Sequence, residues 1–230
     1  MTATDIKPLL YLLTEDDNDD LFFERCAERI SGLSFQQMDP RRLRKNGGIG
    51  AARKAMPHFL NDLKKAAFQP AFFVIAIDND RAPAHPDHKS LPNLGRRDHG
   101  KQCRHCEIMG MIQKEWGHDF RQWPVQGAIA VPVQMLESWL LLGLDPERGT
   151  LPMFSTKTSS LAKAYHNGKP PDQLKDLRDN YRASNNNIAI GDLCVSVVES
   201  LDLGEVCKAS PSFRLFHDQV LLWSTPANAE

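Results

Sequence analysis

Three carboxylates in this 230-residue chain stand where a divalent cation would be held. Glu15 follows the nearly continuous apolar run Pro8-Leu-Leu-Tyr-Leu-Leu-Thr14, and Asp78 and Asp80 follow Ala71-Phe-Phe-Val-Ile-Ala-Ile77. On extended backbone, the two acids of Asp-x-Asp point to the same side. Carboxylates that converge without a counter-charge repel one another. A hard cation resolves that repulsion, and Mg²⁺ takes few protein carboxylates beside waters and phosphate oxygens. Such an ion activates water and neutralises a phosphodiester transition state. The competing assignment makes these acids helix caps and turn residues. It suits Asp16 to Asp20, because a first helical turn welcomes negative charge. It suits Asp78 and Asp80 less, because they directly follow the apolar run 71–77.

The elements that must position these acids follow from hydrophobic spacing. Runs 8–14 and 71–77 fit strands buried on both faces, as in a parallel sheet. Leu21, Phe22, Cys26 and Ile30 predict a helix over 21–31, capped by Asp19 or Asp20. A strand is expected at 33–38, a loop at 40–50 and a helix over 51–67 with Ala52, Met56, Phe59, Leu60 and Leu63 on one face. Residues 81–105 read as a long loop, 106–116 as a helix, 128–133 as a fourth strand and 134–142 as a helix. The order is that of a doubly wound α/β domain with a mostly parallel four-stranded sheet, assigned to residues 1–145. Residues 146–230 read as a helical extension packed on that sheet, with helices over 172–182, 191–201 and 212–223.

In open α/β sheets, ligands bind at the carboxyl ends of the strands. Glu15 and the pair Asp78 and Asp80 end strands, so they are expected to meet at one sheet edge.

The net charge of −1 hides an asymmetry. Residues 1–40 hold nine acids against three bases, and residues 41–70 hold eight bases against Asp62 alone. A metal site beside an anion-binding surface accounts for this, and so do two solvated faces in balance. The Gly47-Gly-Ile-Gly50 stretch, flanked by Arg44, Lys45, Arg53 and Lys54, lacks the Gly-Lys-Ser/Thr of a Walker loop. Before a helix it suits a backbone phosphate of a nucleic acid, or an ordinary flexible connection.

Cys103 and Cys106 have zinc-ligand spacing, with His88, His99, His105 and His118 nearby. No second Cys-x-x-Cys completes a set, so Zn²⁺ and free thiols at a helix start both remain open. The five cysteines are an odd number, which argues against a disulfide framework. No run reaches the roughly 18 apolar residues of a membrane span. Met1 to Lys7 has no signal-peptide core, so a cytoplasmic protein without membrane contact is expected.

The stretch Thr14-Glu-Asp-Asp-Asn-Asp-Asp20 resembles the start of bacterial receiver domains. The likeness ends there, because no Lys-Pro follows a later strand at the right distance and Asp-x-Asp replaces the lone phospho-acceptor Asp. The chain resembles more closely the Toprim superfamily, whose catalytic domain occurs in topoisomerases, primases and OLD-type nucleases. Its Glu after the first strand and Asp-x-Asp after the third match Glu15, Asp78 and Asp80. Asp16 stands where that family usually has Gly. Ile77-Asp-Asn-Asp-Arg-Ala-Pro83, Met135-Leu-Glu-Ser-Trp-Leu140 and Ser212-Phe-Arg-Leu-Phe216 resemble Toprim-like proteins found beside ABC-type ATPases in bacterial defence loci.

The resemblance implies a Toprim-like fold and a Mg²⁺- or Mn²⁺-dependent nuclease acting on nucleic-acid phosphodiesters. It also implies an ABC- or SMC-type ATPase partner and a role in antiviral defence. Glu15, Asp78 and Asp80 would hold the metal, with Glu137 in the same cleft or serving only as a helix-start carboxylate beside a core Trp139. Arg44, Lys45, Arg53 and Lys54 would hold the nucleic-acid backbone. The alternative is a non-catalytic metal- or nucleotide-binding regulatory subunit of an ATPase complex.

Overall fold

The computed structural model describes residues 7–38, 41–42, 48–78, 103–132, 136, 139–140, 178–180 and 182–224. The strands are β1 (Leu9–Thr14), β2 (Gln36–Gln37), β3 (Arg41–Arg42), β4 (Ala71–Ala76) and β5 (Gln126–Ala130). Among the described residues, the helices with both ends defined are α1 (Asp17–Ser31), α2 (Gly48–Ala66), α3 (Arg104–Trp116), α4 (Ile190–Ser200), α5 (Leu203–Ala209) and α6 (Pro211–Leu221). The strands lie in the order β2-β1-β4-β5, and every pairing is parallel. β2 pairs with Leu9 and Leu10 and β3 with Leu13 and Thr14, so the two flank successive parts of β1 as one interrupted edge strand. The protein is therefore α/β with a four-stranded all-parallel sheet.

Strand periodicity divides the core into two layers. Leu10 and Leu12 of β1, Val74 and Ala76 of β4, and Ala128 and Ala130 of β5 face a layer filled by α1, α4 and α6. Leu9 and Leu13, with Phe73, Ile75 and Ile129, face the other layer, filled by α2 and α3. Both faces are covered, which explains why β1 and β4 read as continuous apolar runs and not as alternating ones. In the first layer Trp139 sits against Phe23, Phe213 and Phe216 at ring-centroid distances of 5.9, 5.0 and 5.9 Å. Helices from the C-terminal part of the chain thus share a core with α1 and the sheet. The boundary expected at 145 lies outside the described residues.

Several elements differ from expectation for identifiable reasons. α1 begins four residues before the expected Leu21, because Asp16 is its cap: its side chain accepts from Asn18 N and Asp19 N. Asp19 and Asp20 are therefore first-turn residues and not caps. α2 begins at Gly48, inside the expected loop. β5 begins two residues before the expected 128 and ends at Ala130. An apolar-run reading passes over Gln126 and Gly127, yet Gly127 pairs with Phe73 of β4. A Cβ at Gly127 would lie 2.2 Å from the Phe73 ring, so the missing side chain is what admits that aromatic. α5 was not expected at all. It is a single short helix, capped by Asp202, whose side chain accepts from Glu205 N at 3.0 Å.

Among the described residues β5 is the last strand of the sheet, and there Gln219 of α6 reaches across it. Its Oε1 accepts from the backbone N–H of Ile129 at 2.7 Å, and its Nε2 lies 3.2 Å from His105 Nε2 of α3. One side chain thereby serves the edge of β5 and joins helices from both layers, which blunts the edge against pairing with another chain. Among the described residues, no helix is long and apolar enough to cross a membrane.

Candidate metal centre

The chain runs from β1 through α1 outward to β2, then returns through α2 to β4 on the other side of β1. The direction of winding therefore reverses between β1 and β4. Such a switch point opens a crevice at the carboxyl ends of the two strands, where α/β proteins bind ligands. Glu15 is the first residue beyond β1, and Asp78 is the second beyond β4. The register sets Leu13 beside Ile75, so the two strand ends emerge level with each other. Glu15 Oε1 accepts a long hydrogen bond, 3.4 Å, from the backbone N–H of Asp78. Two residues 63 apart in sequence are thus in contact, and both are half-buried.

The turn that presents Glu15 is built from the neighbouring acids. Thr14 is fully buried, and its hydroxyl donates to Oδ1 of Asp20, itself only 4% exposed. Asp19 Oδ2 accepts from the backbone N–H of Glu15 at 3.1 Å. Asp16 has φ −152° and ψ −179°, an extended conformation open to any residue, and caps α1. The backbone thus requires no glycine at position 16, and Asp16 contributes a cap there. Of the acidic run, Asp16 serves the helix end, Asp19 and Asp20 brace the turn, and Glu15 faces β4. The buried Thr14–Asp20 pair was missed in the sequence. Its only signal there is a Thr ending an otherwise apolar strand just before an acidic helix start.

The donors that Glu15 and Asp78 offer are carboxylate oxygens alone, which fit a hard ion such as Mg²⁺ or Mn²⁺ and not a thiophilic one. Asp80 and Glu137 lie outside the described residues. Among the described residues, no three His, Cys, Asp or Glu side chains gather closely enough to hold a metal ion.

The basic candidates separate. Arg44 and Lys45 lie outside the described residues, and Lys54 is exposed on α2. Arg53 is engaged with Glu107 of α3, its Nε donating to Oε1 at 2.6 Å and its terminal nitrogen pairing with the same oxygen. Arg104 Nη1 reaches the other oxygen of Glu107 at 3.2 Å. Neither Glu107 nor Arg104 is singled out by the sequence reading: the Arg53–Glu107 pair joins two helices and leaves no spacing signal, and the only local signal is the i,i+3 spacing of Arg104 and Glu107.

Cys103 is the N-cap of α3, and its Sγ accepts from the backbone N–H of Cys106 at 3.4 Å. Burial pushes its thiol up to about 12. His105 lies on α3 and reaches Gln219, and His88 and His99 lie outside the described residues. The structure therefore gives Cys103 a capping role that the zinc expectation did not include.

The chain matches no family model, no characterised protein and no solved structure.

Proposed function

We propose that this protein is a metal-dependent nuclease of the Toprim type, acting on nucleic-acid phosphodiesters. The single observation that supports it is the contact between Glu15 and Asp78 at the switch point of a parallel sheet. Glu15, Asp78 and Asp80 are the residues that would hold Mg²⁺ or Mn²⁺. When bound, the ion supplies Lewis acidity for water activation and counter-charge at the phosphate. Glu15 is oriented by the Thr14–Asp20 and Glu15–Asp19 hydrogen bonds of its turn. The ends of β1 and β4 bring Glu15 and Asp78 together. The exposed Lys54, with Arg44 and Lys45, would position the nucleic-acid backbone by charge. The ABC-type ATPase partner and the defence role belong to the same reading and rest on the resemblance of the short motifs.

The test is cleavage of DNA and of RNA by the purified protein with Mg²⁺ or Mn²⁺. Asp78→Ala should reduce cleavage to background while the thermal unfolding midpoint stays near that of the parent. Full cleavage by a folded Asp78→Ala protein removes the proposal.

A further inference from the structure

The Arg53–Glu107–Arg104 cluster is more than a brace between two helices. Two guanidinium groups converge on one carboxylate, so the cluster carries an excess positive charge. Arg53 brings both its Nε and a terminal nitrogen to one oxygen of Glu107, and Arg104 takes the other, so the carboxylate is held by the kind of arginine donors that also bind phosphate oxygens. The Arg53 side chain remains 61% exposed although Glu107 is only 14% exposed. Its outer face is therefore open to solvent while its inner face is engaged.

The fold puts this cluster at a meaningful place. In a parallel sheet, each helix that precedes a strand begins at the carboxyl edge and runs back towards the amino edge. Arg53 is in the second turn of α2, and Arg104 and Glu107 are in the first turn of α3. All three thus lie towards the edge where Glu15 and Asp78 emerge. The first turn of α2 has no acidic residue, and Lys54 adjoins Arg53. Arg53 itself is largely exposed, so its ion pair contributes little to bracing the two helices.

We propose that Arg53 and Arg104 form a phosphate-binding site for a nucleic-acid backbone, and that Glu107 occupies it as a built-in competitor. A backbone phosphate displaces Glu107 from Arg53 and Arg104, and Glu107 sets the affinity by holding those donors in the free protein. The idea rests on the nuclease reading for its ligand class but not for its test, because binding needs neither the metal nor cleavage.

The experiment is fluorescence polarisation in EDTA, with a short fluorescein-labelled DNA duplex and a single-stranded RNA of the same sequence as probes. Glu107→Gln keeps the side-chain shape but removes the competing charge. It should tighten binding about two- to fivefold at low salt, the scale of one exposed ion pair. The salt dependence should also steepen, because in the parent the displaced Glu107 carboxylate takes up a cation that offsets part of the counterion release. Arg53→Gln combined with Arg104→Gln should weaken binding and flatten that slope. Unchanged or weaker binding by a folded Glu107→Gln protein overturns the proposal. If Glu107→Gln does not fold, wild-type affinity in the double arginine variant overturns it. Binding that behaves as stated, in a protein that cleaves nothing with any metal, keeps this inference and removes the nuclease reading. Cleavage with no response to Glu107→Gln does the reverse.

Discussion

Glu15 Oε1 and the backbone N–H of Asp78 meet at 3.4 Å across the ends of two adjacent parallel strands. The contact joins a side chain leaving β1 to the main chain leaving β4. It makes the position of each acid depend on the other strand, so a change at either end is felt at both.

Glu15→Gln should separate the charge of Glu15 from its shape. Glutamine retains an oxygen that can accept from Asp78 N, but it cannot neutralise a cation. Mn²⁺ affinity measured by titration calorimetry is expected to fall about tenfold or more, equivalent to about 1.4 kcal/mol. Stability should move by no more than about 0.5 kcal/mol, as for other partly exposed positions. Unaltered Mn²⁺ affinity would remove Glu15 from the site.

Thr14→Val tests the buried brace beneath Glu15. Valine fills the same volume but takes one donor from the carboxylate of Asp20, which is 4% exposed. The expected cost is about 1–3 kcal/mol in urea denaturation, the range for weakening a buried polar group. A midpoint equal to that of the parent would show that the hydroxyl carries no such load.

Gly127→Ala should be costly for a surface-edge strand. The new Cβ would lie 2.2 Å from the buried ring of Phe73, which is packed edge-on between Phe59 and Trp116. Overpacking of this kind costs about 1–3 kcal/mol. The same substitution should cost less in a Phe73→Leu background, and a double-mutant cycle from denaturation curves reads the difference. Equal costs in the two backgrounds would disprove the clash.

Stability should decline at alkaline pH through Cys26. Burial in the α1 core raises its thiol well above the ordinary value of 9.0. The folded protein therefore keeps a proton that the unfolded chain releases above about that pH. The stabilisation is complete below pH 9.0 and is lost as pH rises further, with a slope of up to about 1.4 kcal/mol per unit. Cys26→Ala should flatten that alkaline limb. An identical pH profile in the variant would assign the decline to other groups.

The two long strands, the two-sided burial and most helix positions were legible in the sequence. Runs such as Leu9–Thr14 and Ala71–Ala76 report their own burial, and Ala52, Met56, Phe59, Leu60 and Leu63 mark one face of α2 by spacing alone. Such patterns are local, so they survive being read one window at a time. Helix starts were less legible, because a run of five acids offers several caps and only backbone geometry selects Asp16. β3 and the start of β5 were illegible. Arg41, Arg42 and Gly127 have no strand character of their own, and they pair because β1 and β4 lie beside them. The candidate site divides in the same way. Residue type and position after a strand marked Glu15 and Asp78, but their contact depends on β1 and β4 being neighbours. Likewise, the engagement of Arg53 with Glu107, 54 residues away, depends on how α2 packs against α3. Composition and spacing state what each segment prefers to bury. They do not state which segments lie side by side, because that choice is made by the shared core and not by any one segment.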